Sequence, residues 1–192
     1  MTRLIKTETS QLITYNMSDD KYLIDNCMDY ITSRLHNNPE IYVYGKKCYQ
    51  RRSIAFFSND SEGYKYSGQI EKSQPFDINL INLLNFINKK FNSDFNGILI
   101  NKYKNGNDYI SDHSDNEKEI SDKGVISISY GAVRKFRIRD KHSKKIIMDI
   151  PTESYQIMQM HGNFQNEFLH GIPIEKKVKE SRISFTFRKH FT

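Results

Sequence analysis

From Phe95 onward the apolar residues recur with a period of two, and this constrains the fold more than any other feature of the chain. Gly97 to Tyr103, Val125 to Tyr130, Lys135 to Arg139, Ile146 to Ile150, Tyr155 to Met160 and Ser181 to Arg188 read as short strands. Gly106 and Asn107, Lys141 to Ser143, and His161 to Asn163 supply turns between them. Upstream the period is helical. Ser18 is a candidate N-cap, with Asp19 and Asp20 in the first turn. Ile24, Cys27, Met28, Ile31 and Leu35 then repeat at helical spacing, which predicts a helix to about Leu35, before Pro39. A second helix is expected from Asp77 to Phe91, with Ile81, Leu84, Ile87 and Phe91 as its buried stripe. The expected class is α+β, mainly β: an antiparallel double sheet, the jelly roll, backed by N-terminal helices.

With 192 residues and no internal repeat or low-complexity linker, one domain is expected. No run of 18 apolar residues exists, so no membrane span is expected. The first residues lack the long apolar stretch of a signal peptide, and Cys27 and Cys48 stand in no metal-binding spacing. These point to an intracellular protein in a reducing compartment. The net charge of +6 favours a polyanionic partner, and positive residues cluster at Lys46 to Arg52, Arg134 to Lys145 and Lys176 to Lys179. Between them, Asp108, Asp112, Asp115, Glu117, Glu119 and Asp122 form an acidic stretch of the kind a divalent cation seeks, although a solvated loop has the same composition.

His113 and Asp115 are two residues apart, so in an extended segment both side chains point to one side and can share one ion. His170 follows a strand-like stretch that a jelly roll can lay beside the pair. Two histidines and one carboxylate on one face of an octahedral ion are the ligand set of non-haem Fe(II) oxygenases. A surface loop and a structural histidine are the bland alternatives. Arg182, Ser184, Thr186 and Arg188 share one face of the last strand, opposite Ile183, Phe185 and Phe187. Two guanidinium groups on one face are costly to bury without anions to receive them, and their planar forks suit carboxylates. An exposed edge strand would explain them equally.

Several segments together resemble a known family: Asn101 to Tyr103, Asp108 to Glu117, Ser127 to Gly131, His170 to Pro173 and Arg182 to Arg188. In order, spacing and strand context the chain from about Ile41 to His190 is similar to the AlkB-type Fe(II)/2-oxoglutarate-dependent demethylases of nucleic acids. The likeness is greatest to AlkB homologue two, the branch acting on double-stranded DNA. The resemblance implies a double-stranded β-helix core over 93–192 and a nucleotide-recognition hairpin region with a supporting helix over 41–92; residues 1–40 lie outside it and are expected to form an N-terminal extension with a helix. The resemblance implies Fe(II) on His113, Asp115 and His170. It also implies 2-oxoglutarate on Asn101, Tyr103, Arg182, Thr186 and Arg188, with Arg188 on the distal carboxylate, and O2 as oxidant.

The activity implied is removal of N-methyl groups from 1-methyladenine and 3-methylcytosine in methylated DNA, releasing formaldehyde, succinate and CO2. Tyr64 and Tyr66, with Lys65 between them, match the segment lining the lesion pocket, and Asn116 and Glu117 would reach the base edge. Tyr44, Gly45 and Lys46 match a hairpin that inserts an aromatic wedge where the base has left the stack. Arg52, Lys46, Lys176 and Lys177 are expected on phosphates. A monomer is expected, nuclear in a eukaryote, or in the host cell or virion for a viral source. Three readings stay open beside it: a single-stranded DNA or RNA demethylase, a lesion-binding protein without turnover, and an oxygenase of protein side chains.

Overall fold

Period-two alternation becomes two facing sheets in the computed structural model, which describes residues 1–17, 19–43, 45–66, 69–115 and 124–190. The strands in the first half are β1 (Thr2–Lys6), β2 (Ser10–Asn16), β3 (Glu40–Val43), β4 (Lys46–Tyr49), β5 (Ser53–Phe57), β6 (Gly63–Tyr66) and β7 (Gln69–Gln74). The second half holds β8 (Gly97–Tyr103), β9 (Ile110–His113), β10 (Val125–Gly131), β11 (Lys135–Asp140), β12 (Ile146–Pro151), β13 (Gln156–Gly162), β14 (Phe168–Ile172) and β15 (Arg182–Arg188). Helices are α1 (Tyr22–Asp25), α2 (Met28–Ser33), α3 (Ile78–Phe91) and α4 (Phe164–Glu167). The larger sheet runs β1-β2-β13-β10-β15-β8-β5-β7-β6, and the smaller runs β12-β11-β14-β9. Within them, β13-β10-β15-β8 faces β12-β11-β14-β9, four strands against four, and this is the expected jelly-roll core.

Alternation sorts the side chains of the larger sheet. Ile98 and Ile100 of β8, Ile126 and Ile128 of β10, and Ile183, Phe185 and Phe187 of β15 join Leu80, Leu83, Leu84 and Ile87 of α3 in one apolar cluster. Between the sheets, Tyr103, Val125, Phe136, Ile138, Met158, Met160, Phe168 and Ile172 form a second. Burying a Leu, Ile or Phe contributes about 1.5–3 kcal/mol each, so both faces of the sheet are anchored. Helix α3 starts where Asp77 Oδ1 accepts the Leu80 amide at 2.8 Å and ends at Asn92 in the left-handed conformation. Its buried stripe is one residue out of phase with the expected one: Leu80 and Leu83 are buried, while Ile81 and Phe91 are only partly so.

Two expectations for residues 1–40 need correction. The helix from Ser18 to Leu35 is two short helices separated at Asn26–Cys27, although Ile24, Cys27 and Ile31 are buried as its spacing required. Ser18 lies outside the described residues. Ahead of it stands no bare extension: β2 pairs with β13 from Ser10↔Gly162 to Asn16↔Gln156, and β1 pairs with β2. Leu12 and Ile13 are buried there. Among the described residues no helix is long and apolar enough to cross a membrane.

Candidate metal centre and substrate cavity

Strand register brings the two histidines together. His170 of β14 is the direct cross-strand partner of His113 of β9, which puts both imidazoles on one face. Their ring centroids are 4.5 Å apart. Asp115 follows two residues beyond, its backbone amide donating to Gln165 Oε1 at 2.8 Å. Gln165 is fixed in turn by Lys141, whose Nζ donates to its carbonyl at 2.8 Å and to Ser114 Oγ at 2.9 Å. Gly171 permits the approach of β14 to β9, since a Cβ there would meet the Ile110 carbonyl at 2.9 Å.

The triad fits a metal. One ligand atom from each of His113, Asp115 and His170 lies within 4.8 Å of the others. Asp115 Oδ1 is 3.7 Å from His113 Nε2, and Oδ2 is 3.6 Å from His170 Nε2, too long for hydrogen bonds and short enough to close on one ion. His113 Nδ1 donates to the Ser111 carbonyl at 2.8 Å, leaving the Nε2 lone pair toward the centre. Protonation states agree with this. Burial, then the neighbouring His170, pushes His113 down to about 4. Burial disfavours an ionised Asp115, but Arg188 and both histidines outweigh it and hold the carboxyl well below the usual range. Neutral imidazole and ionised carboxylate are the forms that bind a metal.

The triad opens into a cavity of about 700 Å³ between the sheets, large enough for a base and a small acid together. Strand β15 floors it. This strand lies between β10 and β8, so the edge-strand alternative for its polar residues fails, and Arg182, Ser184, Thr186 and Arg188 are all buried. Arg188 Nη2 is 2.9 Å from Asp115 Oδ1, at the metal end. Arg182 is away from the ligands: its Nε donates to Thr152 Oγ1 at 3.1 Å and Nη2 to Ser129 Oγ at 2.9 Å, with its guanidinium 5.5 Å from the Tyr103 ring centroid. This reverses the expected order of the arginines, because the group beside Asp115 cannot be the one farthest from the metal. Burial pulls Arg182 down to about 10, so it stays charged at neutral pH.

The other expected residues divide. Asn101, Tyr103, Arg52, Tyr64 and Tyr66 line the same cavity. Arg52 is held at the cavity wall, its Nε donating to Asn101 Oδ1 at 2.7 Å. Tyr64 and Tyr66 are stacked at 5.6 Å, and the Arg188 guanidinium lies 4.9 Å from the Tyr64 ring. Lys65 between them is exposed and lines no part of the cavity. Gly45, at φ +74° in the turn joining β3 to β4, and Lys46 are exposed on the hairpin. Lys176 and Lys177 are exposed. Tyr44, Asn116 and Glu117 lie outside the described residues.

Four contributors carry no signal of their role in the sequence, the first two of them acting as a pair. Gln165 and Lys141 set the ligand loop, and the only trace of Gln165 in the sequence is its place five residues before His170. Arg134, 1% exposed, ties the loop after β8 to the loop after β14, donating to Glu175 Oε2 and to the Asn105, Asp108 and Pro173 carbonyls. In the sequence it stands out only as the first of the positive residues from Arg134 to Lys145. The fourth is Gln50, a cavity residue 3% exposed and beside Tyr66. Burial, then Glu71, raises the Tyr66 phenol, with Arg52 and the Gln50 amide opposing.

"DNA oxidative demethylase ALKBH2" of Homo sapiens is 29% identical over 170 residues, which is 84% of this chain and 64% of that protein, so the match takes in less than two thirds of the relative. "Alpha-ketoglutarate-dependent dioxygenase alkB homolog 3" of Bos taurus is 33% identical over 118 residues, 57% of this chain and 41% of that one. The solved structure of OsALKBH1 superposes with a TM-score of 0.57 at 15% identity, covering 93% of this chain and 97% of that one, a likeness of fold. The family model of the 2OG-Fe(II) oxygenase superfamily matches residues 15–188, from β2 to the last arginine of β15. The chain belongs to that superfamily, is similar within it to the AlkB-type enzymes, and uses Fe(II), 2-oxoglutarate and O2.

Proposed function

We propose that the chain is an oxidative demethylase of DNA, removing the N-methyl groups of 1-methyladenine and 3-methylcytosine, with duplex DNA as its substrate. The observation that supports it most is one cavity holding the metal triad, two buried arginines and two stacked tyrosines. His113, Asp115 and His170 hold iron. Arg188 receives the metal-side carboxylate of 2-oxoglutarate and Arg182 the distal one, with Asn101, Tyr103 and Thr186 completing the site. With Fe(II) bound, oxidative decarboxylation of the oxo-acid by O2 to succinate and CO2 supplies the power to hydroxylate an N-methyl group. The hydroxymethyl amine then loses formaldehyde, and the base is restored with its glycosidic bond intact.

The protein's own part is to position and to exclude water. A target base leaves the duplex at a cost of about a few kcal/mol, which is smaller at a lesion. Arg188 already lies over the Tyr64 ring, so Tyr66, half-buried toward the opening, offers the freer face to a cationic methylated base. The hairpin β3–β4, whose turn carries Gly45 ahead of Lys46, is the element to fill the gap in the stack, with Tyr44, adjacent in sequence, as the wedge. The exposed side chains of Lys65, Lys176 and Lys177 would meet phosphates, and Asn116 and Glu117, which follow the ligand Asp115 in sequence, are the candidates for the base edge. The same reading carries a monomeric enzyme in an intracellular setting.

Formaldehyde and succinate release from matched duplex and single-stranded oligonucleotides containing 1-methyladenine tests this, with iron and 2-oxoglutarate present. The expected result is turnover of the duplex, lost in His113→Ala and reduced in Tyr44→Ala. No product above the His113→Ala background refutes demethylation. Duplex turnover unchanged in Tyr44→Ala moves the substrate to single strands or RNA.

A further inference from the structure

Gln50 is the polar group in the cavity that the proposed chemistry leaves without work. It is 3% exposed, and neither its Nε2 nor its Oε1 makes a hydrogen bond to any described residue. The Tyr66 hydroxyl lies near enough to be influenced by the amide but not in hydrogen-bonding geometry. A buried primary amide with all its donors and its acceptor unmatched costs stability, and native structures keep few of them. Nor is the side chain hung on loose backbone. Its own amide donates to the Pro39 carbonyl at 2.9 Å, and its carbonyl accepts from Asn38 Nδ2 at 2.8 Å. The root of the hairpin β3–β4 therefore holds a pre-set donor and acceptor in the cavity wall, beside the tyrosine ring available for stacking.

We propose that Gln50 is a specificity-determining residue whose amide reads the amino group and the adjacent ring nitrogen of a flipped adenine. The inference rests on the demethylase reading above and adds a preference to it. A methyl group on N1 must face the metal, so the edge left for recognition carries the N6 amino donor and the N7 acceptor. A glutamine amide matches that pair with two hydrogen bonds, Oε1 accepting from N6 and Nε2 donating to N7. In 3-methylcytosine the corresponding edge offers the N4 amino group beside a C–H. There the amide is half satisfied and one buried donor stays unmatched. Sites that hydrogen-bond a substrate discriminate strongly against analogues lacking the partner. This chain is expected to favour 1-methyladenine over 3-methylcytosine, and Gln50 to be the reason.

Competition between oligonucleotides carrying the two lesions gives the ratio of kcat/KM values. In Gln50→Met, which keeps length and removes hydrogen bonding, the adenine-to-cytosine ratio is expected to fall about tenfold. The metal-free variant is expected to melt no lower than the parent, because an unmatched amide is gone. Replacing N7 of 1-methyladenine by C–H probes the same bond with the unaltered protein, and the same tenfold loss is expected. An unchanged ratio in Gln50→Met, or a lower melting temperature with both lesions slowed equally, overturns the inference by making the amide structural. Indifference to the N7 replacement overturns it whatever the variant's folding. If the unaltered enzyme demethylates neither lesion, the functional reading fails and the inference falls with it; if it demethylates both and ignores every one of these changes, only the inference fails.

Discussion

Two guanidinium groups six residues apart on one strand do different work because their neighbours differ. Arg188 faces an ionised Asp115, and Arg182 faces hydroxyls and an aromatic ring, with no carboxylate of the described residues paired to it. A buried cation with only neutral partners is a receptor for an anion. Arg182→Met is therefore expected to raise the dissociation constant for 2-oxoglutarate by about 100-fold or more, measured by calorimetry on manganese-loaded protein. Arg182→Lys should recover little, since a point charge replaces the planar fork. An affinity unchanged in Arg182→Met would place the distal carboxylate elsewhere. At this scale the sequence was legible where residue type carries chemistry, as with His113, Asp115, His170 and the two arginines. It was silent on Gln50, Gln165 and Arg134, whose roles come from burial and partners far along the chain.

Strands show the opposite balance. Alternation located β8, β10, β11, β12, β13 and β15 within a residue or two, because each has one face on α3 or the inter-sheet core. It failed for β1 and β2, where Leu4-Ile5 and Leu12-Ile13 are adjacent apolar pairs that break the period. It failed also for the helix through Cys27, whose apolar spacing is sound while its backbone turns between two short helices. The N-terminal hairpin is nonetheless part of the fold. Leu12, 0% exposed, packs in the inter-sheet cluster, whereas Leu4 lies against its margin. Leu12→Ala is expected to cost about 2–5 kcal/mol in urea unfolding and Leu4→Ala clearly less. Equal and negligible losses would make the hairpin an ornament on β13. Pairing with β2 also covers the β13 edge, which otherwise offers unpaired backbone to other chains.

The whole molecule binds these elements into a pH-dependent unit. His190, beyond the end of β15, is 4% exposed, packed between Phe56 and Tyr64, with its backbone held by Asn96. Burial, then the charge of Arg188, pushes it down to about 4 from an ordinary 6.5. Between those values the unfolded chain takes up a proton that the folded protein refuses, so this contribution to stability falls as pH drops from 6.5 to 4 and levels off below. A shift of that size is worth at most about 3 kcal/mol. His113, shifted the same way but half-exposed, adds a smaller loss over the same window in the metal-free protein. Glu71, raised by burial, works against both. Metal-free protein should thus melt at progressively lower temperature from pH 6.5 to 4.5. In His190→Leu, where the buried ring nitrogen is gone, the slope should fall by about half. Because His113 stays largely unprotonated in the fold down to about 4, loading iron should raise the melting temperature by nearly the same amount at pH 4.5 as at pH 6.5. A melting temperature indifferent to pH across that window would mean that His190 keeps its proton inside the fold, and that the aromatic cage of Phe56 and Tyr64 admits water.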